Sequence, residues 1–593
     1  MVRAITPALR LFSQITTHTP GQDDDERVEL NPPLTSRPAS RPAIAVGPKL
    51  GITIVPAAGD APTVAWHWVS AATDAVSASS VKLDLRVGPT IAARFYGMLG
   101  TALYEAWQVF DRKARSTLPT VTGTAPWDRL LERQIDGFLQ AMHKRGGKSS
   151  LATHLINNVV ARTAHAVLSS PLSGIQEGST GLNRLHQQLE DSLSGVPVAQ
   201  AALFNGIDQR ISQVVAAKVL ENFRNDGSSL TLPSLINPLT SAATAYAPLN
   251  SSPAHVKRID RWTPELSFNS DASTPLQSFL TPFWGNVQYY LLGRDTIAAL
   301  PFKAKKPEPF LLDPRDSYDL KLGLIFKDGR GPGLPITPAQ IGRTINPRFV
   351  TQANEVVTYS RRLAAPEGNL YKGIAQFWEN GAGTAFPPGT WMKFGQYASL
   401  LHDNKLADDA KLFLGLGASA YAASIASWQL KRQEDYARPI RVVRELSRFG
   451  LMKDSDNDPA NGSQFTAHVR GEGLRDISGV DWETYQTAGG YSPPFPEFVS
   501  GHSVFSSAAA DFLTNFYNSP EFGGKVEFGL SYGYDPPAQQ LSLGWDTWKG
   551  AAQEAGFSRL WGGIHFLDGN LEGQGLGSAI GARTYHQLSH LWG

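Results

Sequence analysis

The sequence contains no cysteine, which excludes disulfides, thiolate metal centres and a cysteine nucleophile. An excess of charge of either sign is missing too. Lys and Arg number 54 against 53 Asp and Glu, leaving a formal net charge of +1. So even a balance offers no electrostatic footprint for nucleic acid or for an anionic membrane, and neither is expected as a partner. No run of about 18 apolar residues occurs, so no membrane span is expected. Met1 to Ile15 lacks the unbroken apolar core of a secretory signal. The chain is therefore expected to be soluble and, by default, cytoplasmic. Strand-period alternation and fixed-period repeats are also scarce, which leaves an all-α architecture.

What is present is 593 residues, 42% hydrophobic and 18% charged, enough for two or more packed domains. Residues 1–60 read as a polar, proline-rich arm with the acidic run Asp23-Asp24-Asp25-Glu26. Such a segment cannot bury enough apolar surface to fold alone and could drape over a partner subunit. Residues 61–344 are expected to form an N-terminal helical domain with a long coil from Gly227, and 345–593 a C-terminal helical bundle. In the first domain, helices are expected from Pro89 to about Phe110 and over 126–145, 149–169, 181–194 and 208–224. In the second they are expected over 347–363, 368–379, 389–403, 407–434, 501–518, 546–562 and 571–588. The stretch from Arg438 to Pro493 reads as irregular. Asp454-Ser455-Asp456-Asn457-Asp458 resembles the start of a calcium loop, but Pro459 and Phe465 stand where the turn glycine and closing acid belong. Gly329-Arg330-Gly331-Pro332-Gly333 has no Lys-Ser/Thr after it and is no phosphate loop.

Chemistry concentrates in three segments. Trp428 and Lys431, three apart on one helix face, precede Arg438-Pro439. Proline disfavours α geometry at the residue before it, so the helix should end short of Arg438. Pro493-Pro494-Phe495-Pro496-Glu497-Phe498-Val499 then delivers Ser500-Gly501-His502 to a helix start, where free amides attract an anion. Finally, Gly562-Gly563 break the helix between Arg559 and His565, letting both aim at one point. Two Arg, a Lys, a Ser hydroxyl, backbone amides and two His are the inventory for a phosphate-sized oxyanion. One imidazole can attack or coordinate the central atom and the other can move protons. Each residue alone is more often a solvated or core group; the combination is specific.

These segments resemble the signature of vanadium-dependent haloperoxidases, which share their site with the type 2 phosphatidic acid phosphatase superfamily. The pattern is Lys, six residues, Arg-Pro; then Pro-Ser-Gly-His; then Ser-Arg, five residues, His. Here it reads Lys431…Arg438-Pro439, Ser500-Gly501-His502 and Ser558-Arg559…His565. Gly88 to Trp107 and Thr281-Pro282-Phe283-Trp284-Gly285 are also similar to family segments. The resemblance implies two helical bundles with long irregular surface segments, the second bundle carrying vanadate. His565 would ligate vanadium, while Lys431, Arg438, Arg559, Ser500 and the Gly501 amide hold vanadate oxygens. His502 would deprotonate hydrogen peroxide, and Lys431 would polarise it for attack by halide. The hypohalous acid so formed would halogenate a small organic substrate. Trp428 and Phe495 match the aromatic pair of fungal-type chloroperoxidases, implying bromide and also chloride oxidation. A homo-oligomer, dimer or higher, is expected. Three positions depart from the pattern: Val499 replaces a Pro, Gly569 replaces an Asp with Asp568 one place earlier, and Asn380 beside Glu379 replaces an Asp that pairs with the second Arg. An acid phosphatase working through a phospho-histidine at His565 is the alternative, and a silent helical scaffold a second.

Overall fold

The structure, a computed structural model, describes residues 42–47, 50–80, 87–118, 149–175, 179–194, 206–228, 246–266, 276–289, 300–327, 333–453, 462–486, 492–530 and 540–592, with Arg133, Gly137 and Leu291. Outside them lie the arm over 1–41, most of the helix expected over 126–145, the Asp454–Asp458 loop and all but Gly333 of the Gly329–Gly333 run.

The first half contains β1 (Ala43–Val46), β2 (Ile52–Val55), α1 (Val64–Ser79), α2 (Pro89–Gln108), α3 (Ser149–Leu168), α4 (Thr180–Ser194), α5 (Ile207–Arg224), β3 (Ser317–Asp319) and β4 (Gly323–Ile325). The second contains α6 (Pro347–Arg362), α7 (Gly368–Phe377), α8 (Phe386–Leu401), α9 (Leu406–Glu434), α10 (Pro439–Arg448), β5 (Gln464–Val469) and β6 (Gly473–Ser478). It closes with α11 (Gly501–Phe516), β7 (Glu521–Gly529), β8 (Gln540–Thr547), α12 (Trp548–Trp561) and α13 (Leu567–Ser589). The architecture is helical, as expected, with four two-stranded antiparallel hairpins added among the described residues. The last hairpin pairs Val526 with Leu543 and turns Phe522, Val526, Phe528, Leu543 and Trp545 inward. Its strands run nine and eight residues, and they pack against α8, where Phe522 meets Phe394 at 4.8 Å between ring centres. Part of the expected arm is likewise ordered: Ile44, Ile52 and Ile54 are buried, and Lys393 donates to the Ile52 carbonyl at 2.5 Å.

The core is built on α2 crossing α9. Residues 90–108 of α2 are buried all round, the pattern of an interior helix. Two glycines permit the contact, since a Cβ on Gly100 would stand 2.3 Å from the Phe413 carbonyl and one on Gly417 2.3 Å from that of Tyr96. Arg94 of α2 pairs with buried Asp226 at 2.6 Å, and Asp226 also accepts from Tyr421 of α9 at 2.7 Å. The Thr281–Gly285 segment lies on the same helix, with the Trp284 indole donating to Ser424 at 2.9 Å.

Helix α10 was not expected, because Pro439 reads as a breaker; here it occupies the first turn, where its missing N–H costs nothing. Helix α11 rests on α13 through Gly573, Gly577 and Gly581, four residues apart. A Cβ on Gly577 would be 2.3 Å from the Val504 carbonyl and one on Gly581 2.2 Å from that of Ala508. We expect Gly577→Val to destabilise the protein by about 3 kcal/mol, the upper end of overpacking costs, as urea unfolding would show.

Candidate active site

Helix α9 ends at Asp435 in the left-handed conformation, and Arg438 caps α10 with extended backbone, φ −81° and ψ 151°. Ser500 caps α11, its hydroxyl accepting from the Ser503 amide at 3.4 Å. Helix α12 stops at Trp561, and Gly563 turns the chain with φ +77°. The three segments converge on a cavity of about 390 Å³. Gly501, His502, Arg559 and His565 line it, with Trp428 and Phe495 among its apolar walls. Lys431, Arg438 and Ser500 are buried behind it.

Each guanidinium is seated by carbonyls and holds one imidazole. Arg438 donates through Nε to the Phe495 carbonyl at 2.9 Å, and through Nη1 to the Ile564 carbonyl at 2.8 Å and His565 Nε2 at 2.9 Å. Arg559 Nη1 donates to the Trp378 carbonyl at 3.1 Å and His502 Nε2 at 2.7 Å, and Nη2 donates to the Gln486 amide oxygen. Because arginine can only donate, His565 Nε2 is an unprotonated acceptor, while Arg559 Nη1 also lies 3.3 Å from His502 Nδ1. Burial first, and then the cations, push both imidazoles well below the usual histidine range, so each is neutral near pH 7.

Neutral burial sets a pH dependence. The unfolded chain takes up protons as pH falls through about 6.5 and the folded one does not, so stability is full above that value and declines below it. His502→Gln is expected to lose stability less steeply than wild type between pH 7 and 5, which parallel urea titrations would reveal.

Lys431, expected to hold vanadate oxygens, is buried beside the lead-in to α11. Its Nζ donates to the carbonyls of Pro496, Glu497 and Val499 at 2.8, 3.0 and 2.6 Å. Burial and Arg438 press its pKa well down, but three acceptors around one nitrogen require the three protons of the ammonium. Val499 is buried and tied down by this contact. Trp428 donates to the Leu280 carbonyl at 2.9 Å and meets Phe495 at 4.9 Å between ring centres. Lys431 Nζ lies 5.2 Å and Arg438 Cζ 5.1 Å from the Phe495 ring centre, so the expected halide pocket is backed by two cations. Glu379 and Asn380 line the cavity. The Glu379 carbonyl accepts from Arg559 at 3.3 Å, whereas Asn380 turns its amide oxygen to Thr390 at 2.8 Å.

Two site residues escaped the sequence reading. Gln486 comes from the loop after β6. Glu497, fully buried, takes His565 Nδ1 at 2.6 Å and the Phe566 amide at 3.2 Å. Burial pushes its carboxyl up to about 7 against the pull of Arg438 and Lys431. An acid inside an otherwise apolar stretch was the available signal.

Residues 411–593 match the family model described as the VCPO second helical-bundle domain, and every residue of the three segments falls within that match. This region is similar to the VCPO second helical-bundle domain. Solved structures similar to the chain include a holo-type bacterial vanadium-dependent chloroperoxidase, at 16% identity and TM-score 0.61, covering 90% of this chain and 99% of that one. The apo-type bacterial vanadium-dependent chloroperoxidase gives 16% identity and TM-score 0.59, covering 86% and 95%. A bacterial vanadium-dependent iodoperoxidase gives 16% and 0.51, covering 88% and 95%. At that identity the likeness establishes the fold, which is the vanadium haloperoxidase fold. No curated protein matches the sequence significantly.

The donors around the cavity fit a tetrahedral oxyanion such as vanadate. Arg438 Nη2 is buried with no hydrogen-bond partner, an orphan donor that an oxyanion oxygen would satisfy. The first amides of α11 have no partner within the helix, and the His565 Nε2 lone pair is available to a metal once Arg438 yields it.

Proposed function

We propose that the protein is a vanadate-dependent haloperoxidase that uses hydrogen peroxide to oxidise halide to hypohalous acid, which halogenates a small organic substrate. The observation that carries this reading is the pair of neutral imidazoles, each facing a guanidinium through Nε2 at the N-terminus of α11. His565 would hold vanadate through Nε2, with Arg438, Arg559 and the Gly501 amide on its oxygens and the Ser500 hydroxyl within the same shell. Bound vanadate supplies Lewis acidity without changing its oxidation state. His502, neutral and at the cavity wall, takes a proton from hydrogen peroxide at Nε2 as Arg559 turns to the oxyanion. The two guanidiniums offset negative charge in a site sheltered from water. Trp428 and Phe495 strip water from the halide, favouring bromide oxidation and extending it to chloride.

A halide panel on vanadate-reconstituted protein, with His565→Ala as control, tests the reading. Vanadate- and peroxide-dependent bromination of monochlorodimedone is expected, lost in the control. Chloride turnover at mildly acidic pH tests the aromatic pair. Hydrolysis of p-nitrophenyl phosphate by apoprotein, with no halogenation after vanadate and peroxide are added, would establish the phosphatase instead.

A further inference from the structure

The carboxylate that orients the metal-binding histidine comes from the lead-in to α11 rather than from α13, and a glycine on α13 is what admits it. Arg438 occupies His565 Nε2 as a donor at 2.9 Å. The single proton of the neutral ring must then sit on Nδ1, where Glu497 Oε1 receives it at 2.6 Å. A second bond, from the Phe566 amide at 3.2 Å, fixes that oxygen beside the chain that bears the ring. The nearest acid on α13 is unavailable: Asp568 accepts from Arg348 at 2.7 Å, and both are partly exposed. Its neighbour Gly569 faces the Glu497 carboxylate so closely that a Cβ there would stand 2.3 Å from Oε1 and 2.8 Å from Oε2. A side chain at 569 would have to push this carboxylate out of its place beside His565. The Gly569 carbonyl also takes the Ser500 amide at 2.9 Å, so its backbone is held against the same stretch.

We propose that Glu497 is the positioning residue for His565: it fixes the Nδ1–H tautomer, keeps the Nε2 lone pair aimed into the cradle, and depends on glycine at 569 for its space. The assignment rests on His565 being the vanadate ligand. A residue that holds the second nitrogen of a metal-binding histidine typically affects metal affinity by about 10–100-fold. The geometry also implies an exchange. With the Glu497 side chain removed, an aspartate at 569 would project its carboxylate into the vacated space.

Orthovanadate binding to apoprotein, followed by titration calorimetry, tests this without reference to turnover, and thermal melting reports folding of each variant. Glu497→Ala is expected to weaken binding by about 10–100-fold. Gly569→Asp alone should also weaken it, because two carboxylates compete for one space. The double variant E497A/G569D should recover most of the lost affinity, a rescue no merely structural role would give. The isosteric Glu497→Gln, which keeps the volume, should bind more weakly than wild type and serves should E497A fail to fold. Wild-type affinity in E497A or E497Q overturns the assignment, as does a folded double variant that binds no better than E497A. Wild-type protein that takes up no vanadate sinks the haloperoxidase reading and this assignment with it, an outcome distinct from normal wild-type binding with unaffected variants.

Discussion

His502→Ala is expected to lower bromide oxidation by roughly 10²–10⁴-fold, the usual contribution of a general base, while leaving vanadate affinity within a few-fold. His502 lies on the cavity wall and its Nε2 accepts from Arg559 at 2.7 Å. Its pKa is held well below the usual value by burial and by Arg559, so it stays an unprotonated base at mildly acidic pH, where a solvent-exposed histidine would be spent. The contrast with His565→Ala is the informative part. Losing the ligand removes binding and turnover together, whereas losing the base removes turnover alone. Steady-state kinetics beside vanadate titration separates them. If His502→Ala retains wild-type kcat, the proton leaves peroxide by another route and the assigned role fails.

Lys431→Met is expected to unfold more easily than wild type by about 2–5 kcal/mol, the cost of leaving several buried acceptors without donors. A lysine that only faced vanadate would give up oxyanion affinity and leave apoprotein stability alone. Here its ammonium binds the Pro496, Glu497 and Val499 carbonyls, so it also staples the stretch that presents Glu497, Ser500 and the start of α11. Vanadate affinity should fall with stability. Urea unfolding of apoprotein is the deciding measurement, and a wild-type unfolding free energy would show that the staple carries no load.

Helix periods were legible wherever apolar residues recur over several turns. The spans expected over 347–363, 407–434 and 149–169 lie within a residue or two of α6, α9 and α3. The hairpins and α10 were not, because strands and a ten-residue helix owe their existence to the surfaces they pack on rather than to local propensity. Much the same holds for the close crossings of α2 with α9 and of α11 with α13. Their glycines are plain in the sequence, but nothing local says which backbone each one meets.

The sequence by itself determined the chemistry available here: no thiol, no global charge, and a spaced set of Lys431, Arg438, His502, Arg559 and His565. Spacing along a helix and the breaks at Pro439 and Gly562-Gly563 are local properties, so they survive being read in one dimension. Only the tertiary structure decided how those donors are spent. Lys431 is turned to three carbonyls 65 to 68 residues away along the chain, and Glu497 reaches His565 across 68. Hydrogen-bond partners in a buried site are set by which groups lose water together, and that is fixed by packing between distant segments rather than by any neighbour in sequence.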